Sequence, residues 1–164
     1  MGAIHRHDVD FFGWTQEQAA KLRADSCDFS LLDRDYLAEE IEDMGRGEIK
    51  EISSLLHQTL AHLFKIAISP KAQSVDHWFN EILTFQGDAV ITFSPGLRQL
   101  LDLDTIWRVA CNGATRSLER YDVTVPPLPK SCPLTLDQLL DHEFDPNQAA
   151  ATISAAIHST PHGD

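Results

Sequence analysis

Leu37-Ala38-Glu39-Glu40-Ile41-Glu42-Asp43-Met44-Gly45-Arg46 opens an amphipathic run that continues to about Ile68, and its period decides the fold. Leu37, Ile41, Met44, Ile52, Leu55, Leu56 and Leu63 recur at helical spacing. Leu37 and Leu55 stand 18 residues apart, which is five full turns, so the stripe keeps its phase across Gly45 and Gly47. The reading is one long second helix, with Asp33 as its cap. A glycine costs about 1 kcal/mol in a helix interior, so a kink at Gly45-Gly47 is the alternative.

Working outward, Thr15-Gln16-Glu17-Gln18 has the form of a capping box and predicts a first helix to about Ala24. Ser69-Pro70 stops the long helix. A third is expected from about Ser74 to Phe93, with Trp78, Ile82, Phe85 and Ala89 on one face and a β-prone end from Asp88. Ser94-Pro95 restarts a short helix. Asp104 is read as the cap of another, whose face is Trp107, Ala110, Ala114 and Leu118. Prolines 126, 127, 129 and 133 make residues 122–134 an extended connector. Thr135-Leu136-Asp137-Gln138 is a second capping box, for a short helix to about His142. Beyond Pro146 the composition turns small and polar, which reads as a poorly ordered or frayed helical tail over residues 146–164. Nothing alternates like a sheet. The expectation is an all-α protein, an irregular bundle of four to six helices forming one domain over residues 1–145.

Composition bounds the function. A chain of 164 residues with 43% apolar content can bury about 70% of its unfolded surface without disulfide staples. Its net charge is −12, with eight acids against three bases in residues 33–51 and six against one in residues 122–164. Such a surface repels phosphate backbones, which makes nucleic acid an unfavoured partner and favours a basic protein or a divalent cation. Cys27, Cys111 and Cys132 are odd in number, lack C-x-x-C spacing and follow no secretory leader, so reduced thiols in a cytoplasm are expected. No apolar run approaches the roughly 18 residues of a membrane span.

Candidate chemistry is sparse. With Ile41 taken as the stripe centre and about 100° per residue, Glu39 and Asp43 point outward, and Glu40 and Glu42 lie on opposite flanks. Glu48 alone falls within about 20° of the centre. A carboxylate aimed at a core has to be protonated, paired or metal-bound, since desolvating a bare charge costs several kcal/mol. An ion pair with Arg108 or Arg116 is the plain alternative. His62 falls on the inner edge of the stripe, as a core histidine or a functional one. If the second and third helices form a hairpin about Pro70, His77 comes level with His62. That makes His62, His77 and Glu81 the one plausible three-ligand set for zinc or a similar ion. Cys132, in the proline-rich connector, has no base assignable to it as a nucleophile. Walker, G-x-S-x-G and paired-cysteine zinc patterns are absent from the sequence.

Three blocks together resemble a bacterial family catalogued as domain-of-unknown-function family twenty-nine, abundant in cyanobacteria. They are Asp10 to Gln18; Leu37 to Arg46 with Glu48, Leu60-Ala61-His62-Leu63 and Lys65; and Cys132 to Leu136 with Gln138-Leu139-Leu140. The resemblance implies an all-helical bacterial protein and carries no established activity. It is imperfect: the family's third helix is rich in arginine, whereas Asn80 to Phe93 here contains no base. The functional expectation is a non-enzymatic module that binds another protein through its acidic surface or an apolar groove, with no cofactor. A metal-binding bundle or metal-dependent enzyme built on Glu48 or the His62, His77 and Glu81 set is the alternative. Oligomeric state is not legible.

Overall fold

The computed structural model describes residues 11–24 and 28–160. They are helical, with no strand among them: α1 (Phe11–Arg23), α2 (Arg34–Ile68), α3 (Val75–Thr92), α4 (Leu103–Glu119), α5 (Leu136–Leu139) and α6 (Pro146–His158), with 3-10 turns at Phe29–Leu31 and Pro95–Leu100. The chain divides into two compact units, one up to Gly47 and one from Glu48.

In the first unit, α1 begins at Phe11, so Thr15 stands inside the helix rather than at its cap. Gln18 is used differently from a capping side chain. It is buried, and its amide oxygen accepts the Asp33 backbone N–H at 3.0 Å. The buried Trp14 donates its indole N–H to the Asp33 carboxylate at 3.0 Å and meets Tyr36 edge-on, with centroids 6.5 Å apart. Asp33 does start α2, since its carbonyl accepts the N–H of Leu37 at 2.9 Å. Its side chain is spent on Trp14 instead of on the helix amides. The Asp28 carboxylate caps the 3-10 turn, and its hydrogen bonds from Ser30 hold its pKa below the usual carboxylate range.

α2 is one continuous helix through both glycines. The expected buried face is realised only along part of its length. Ile52, Leu56, Leu60, Leu63 and Phe64 are buried, whereas Ile41 is 68% and Met44 72% exposed. The period identifies the face that a neighbour would cover; it does not say where along the helix a neighbour exists.

The second unit is built around one apolar core. α2 contributes the residues just named, α3 Ile82 and Ala89, and α4 Ile106, Trp107, Ala110, Ala114 and Leu118. Ala110 and Ala114 keep successive turns of α4 slim. Phe64 meets Trp107 edge-on at 6.0 Å, and the Trp107 indole N–H donates to the Pro129 carbonyl at 3.1 Å, tying the connector to the core. Aromatic burial combined with a satisfied N–H is the favourable arrangement for tryptophan.

Helix ends follow the chemistry with small shifts. α4 is capped by Asp102, which accepts the Thr105 N–H at 3.0 Å, rather than by Asp104. Asp104 instead accepts the Cys132 N–H at 2.8 Å and anchors the connector. The Thr135–Gln138 capping box forms as expected. α5 nevertheless stops at Leu139, where the buried Gln86 amide donates to the carbonyls of Leu139 at 3.1 Å and Asp141 at 2.9 Å. The segment read as a frayed tail is α6 over most of its length. Asp145 caps it, Pro146 occupies its first turn, and Ile153 and Ile157 lie in the core. Its small residues are packing surface, which composition alone presents as weakness.

Candidate functional site

Glu48 is exposed, contrary to the sequence expectation that it points into a core. It lies one turn before Ile52, where the buried part of α2 begins, so it has no need of an ion pair with Arg108 or Arg116. Arg108 instead donates to the Thr105 hydroxyl at 3.1 Å.

His62 is where the sequence placed it, buried on the inner edge of α2 and 8% exposed. Its Nε2 lies 3.4 Å from Glu81 Oε2, and its ring stacks on Phe85 with centroids 6.0 Å apart. Nδ1 is buried with no hydrogen-bond partner. That pattern fits a neutral ring whose Nε2 edge faces Glu81. Burial, reinforced by the Lys65 and His77 charges, pushes the His62 pKa down to about 4, and the opposing pull of Glu81 does not offset it.

The level partner of His62 across the hairpin is therefore Glu81 rather than His77. The connection is tied by the Ala72 N–H to the Ser69 carbonyl at 3.1 Å and by the Val75 N–H to the Ala72 carbonyl at 3.2 Å. A turn lying beyond Pro70 moves the facing register by about one helical turn. His77 remains near enough to act on His62 electrostatically, yet it is exposed. Among the described residues no group of three or more His, Cys, Asp or Glu is arranged to hold a metal ion, the set His62, His77 and Glu81 included.

The thiols offer little nucleophilic character. Cys111 is buried and Cys132 partly so. Burial raises both pKa values, that of Cys132 to about 11, which leaves little thiolate near neutral pH. Cys27 lies outside the described residues, as do the N-terminal stretch up to Asp10 and His162. His158 closes the last turn of α6, with Nδ1 2.6 Å from the Ser154 carbonyl oxygen.

The first unit presents a different feature. Ile41 and Met44 stand one turn apart on α2 and are exposed, with Glu39, Glu42 and Asp43 exposed around them. Arg46 pairs with Glu42 and Asp43, so acid predominates locally even after that pairing. Periodicity marked this face correctly and assigned it to the core. That nothing among the described residues covers it is what a helical period cannot register.

The chain matches the family model described as Domain of unknown function DUF29 over residues 7–145. It belongs to that family. A solved structure of another all-helical chain, described as an alpha-helical protein of unknown function from Rhodospirillum rubrum, is similar to it. The two share 33% sequence identity and superpose with a TM-score of 0.70, covering 88% of this chain and 95% of that one. No curated protein matches. The DUF29 assignment agrees with the all-helical fold. Among the described residues no helix is long and apolar enough to cross a membrane.

Proposed function

We propose that this DUF29 protein is a non-enzymatic interaction module that docks a basic partner protein on the exposed face of α2 around Ile41 and Met44. The observation that carries this reading is the exposure of those two large side chains, 68% and 72%, within a run of acids. An apolar pair rimmed by one sign of charge suits a groove whose floor is apolar and whose edges carry Lys or Arg. A second copy of this chain suits it less, because Glu39, Glu42 and Asp43 would then face their own counterparts.

The test starts with the stoichiometric partner co-purifying from the native host, identified by mass spectrometry, then purified and titrated against the full chain. Ile41→Ser with Met44→Ser is expected to weaken binding at least tenfold, about 1.4 kcal/mol. Reversing Glu39, Glu42 and Asp43 to Lys is expected to slow association and to remove its salt dependence. A native-host preparation without a stoichiometric partner overturns the proposal, as does a partner whose affinity neither set of variants changes.

A further inference from the structure

A cleft of about 440 Å³ opens beside the α2–α3 turn, lined by Lys65, Ser69, Gln73, Trp78, Ser117 and Tyr121 among others. Lys65 dominates it electrostatically. The side chain is half-buried, and its ammonium lies 5.7 Å from the centroid of the Trp78 ring. Among the described residues no carboxylate comes within the 4.0 Å of an ion pair with it. Glu81 acts on it electrostatically from outside that distance and lies 3.4 Å from the neutral His62 ring. Partial burial accordingly holds the Lys65 pKa below its ordinary value.

This is an unusual use of a lysine in a chain of net charge −12, where exposed carboxylates are abundant. Its position in the last turn of α2, close to the helix-end carbonyls, makes a cation tolerable there. Those carbonyls are partial dipoles, and Glu81 acts only at a distance, so the ammonium has no direct ion-pair partner among the described residues. The walls supply the rest of a recognition surface: hydroxyls from Ser69, Ser117 and Tyr121, an amide from Gln73, and apolar area from Trp78, Leu118 and Val123. A concave site with mostly apolar walls and a few convergent polar groups is the usual form of a small-molecule pocket.

We propose that the cleft binds a small organic monocarboxylate, its carboxylate on the Lys65 ammonium and a planar apolar body against Trp78. One cation matches one negative charge, which favours a monocarboxylate over a phosphate dianion whose second charge would find no cation here. The site lies within the second unit and does not depend on the face around Ile41, so the two proposals fail separately.

The experiment is a titration of the full chain with benzoate, followed by the Trp78 indole N–H resonance and assigned with Trp78→Phe. Benzamide serves as the neutral isostere, and inorganic phosphate as a control for charge alone. Benzoate is expected to give a saturable shift with a Kd of about 1 mM, typical of a ligand of its size. Lys65→Met is expected to weaken it about tenfold and Lys65→Arg to retain it. The proposal is overturned by a shift that does not saturate, by equal affinity for benzamide, by equal displacement with phosphate, or by unchanged affinity in Lys65→Met. Should Lys65→Met fail to fold, the benzoate-against-benzamide comparison on the unmodified protein decides.

Discussion

At the scale of single residues, His62 is where structure changes chemistry most. Its pKa of about 4 in the folded chain lies well below the 6.5 of an unperturbed histidine. A depressed histidine pKa means that the unfolded chain takes up the proton first as the pH falls. The contribution of neutral His62 to stability is therefore complete above about pH 6.5 and is lost between about pH 6.5 and 4. The groups acting on it are Lys65, His77 and Glu81, and His57 on the same helix shifts in the same direction through burial. His62→Gln keeps a neutral polar side chain beside Glu81 and does not titrate. Urea unfolding of the two proteins across that range should show the unmodified chain losing on the order of 3 kcal/mol more than the variant. Parallel pH curves for the two would mean that folding leaves the His62 pKa unshifted. The burial of His62 was legible from its angle on the helix. Glu81 was legible as a member of the set expected around His62, but its standing level with His62 in place of His77 was not, because that depends on the geometry of the turn at and beyond Pro70.

At the scale of elements, the long helix is the strongest case of sequence specifying structure, and the glycines within it are its weak points. A Cβ built at Gly45 or Gly47 meets nothing within 4 Å, and neither residue has a positive φ. No close approach among the described residues requires them. Gly45→Ala and Gly47→Ala should each stabilise the helix by about 0.5–1 kcal/mol, through lower unfolded-state entropy and better propensity. Thermal unfolding followed by circular dichroism reads this directly; a fall in stability would show a constraint at that position. Other elements were less readable. The end of α5 is set by Gln86, which lies 53 residues away in sequence from the Leu139 carbonyl it satisfies. A buried glutamine on an otherwise apolar face carries no local signal of its partner. Composition likewise hid α6, whose alanines and isoleucines look featureless until a core lies beside them. Local rules served best where the partner is local: the Thr135–Gln138 box and the proline connector formed as their residues dictate.

At the scale of the whole molecule, burial is unevenly shared between the two units. Among the described residues of the first unit only Trp14 and Gln18 are buried, while the apolar core cluster belongs to the second. Backbone hydrogen bonds in the exposed stretch of α2 are held by helix propensity and by pairs such as Arg46 with Glu42, each worth a few tenths of a kcal/mol. Those around Leu56 to Phe64 are held by packing as well. Opening free energies should therefore differ within one continuous helix, near zero at one end and approaching the global value at the other. Hydrogen exchange of the full chain tests this: amides of residues 38–47 should exchange orders of magnitude faster than those of residues 56–64. The acidic face depends on the same fact, because a helix stretch with exposed Ile41 and Met44 gains burial only from something outside the described structure. Adding the cognate basic partner should slow exchange selectively over residues 38–47 and leave residues 56–64 unchanged. Exchange equally slow along all of α2 without a partner would show the stretch to be covered already, and the docking face would then have no apolar surface to offer.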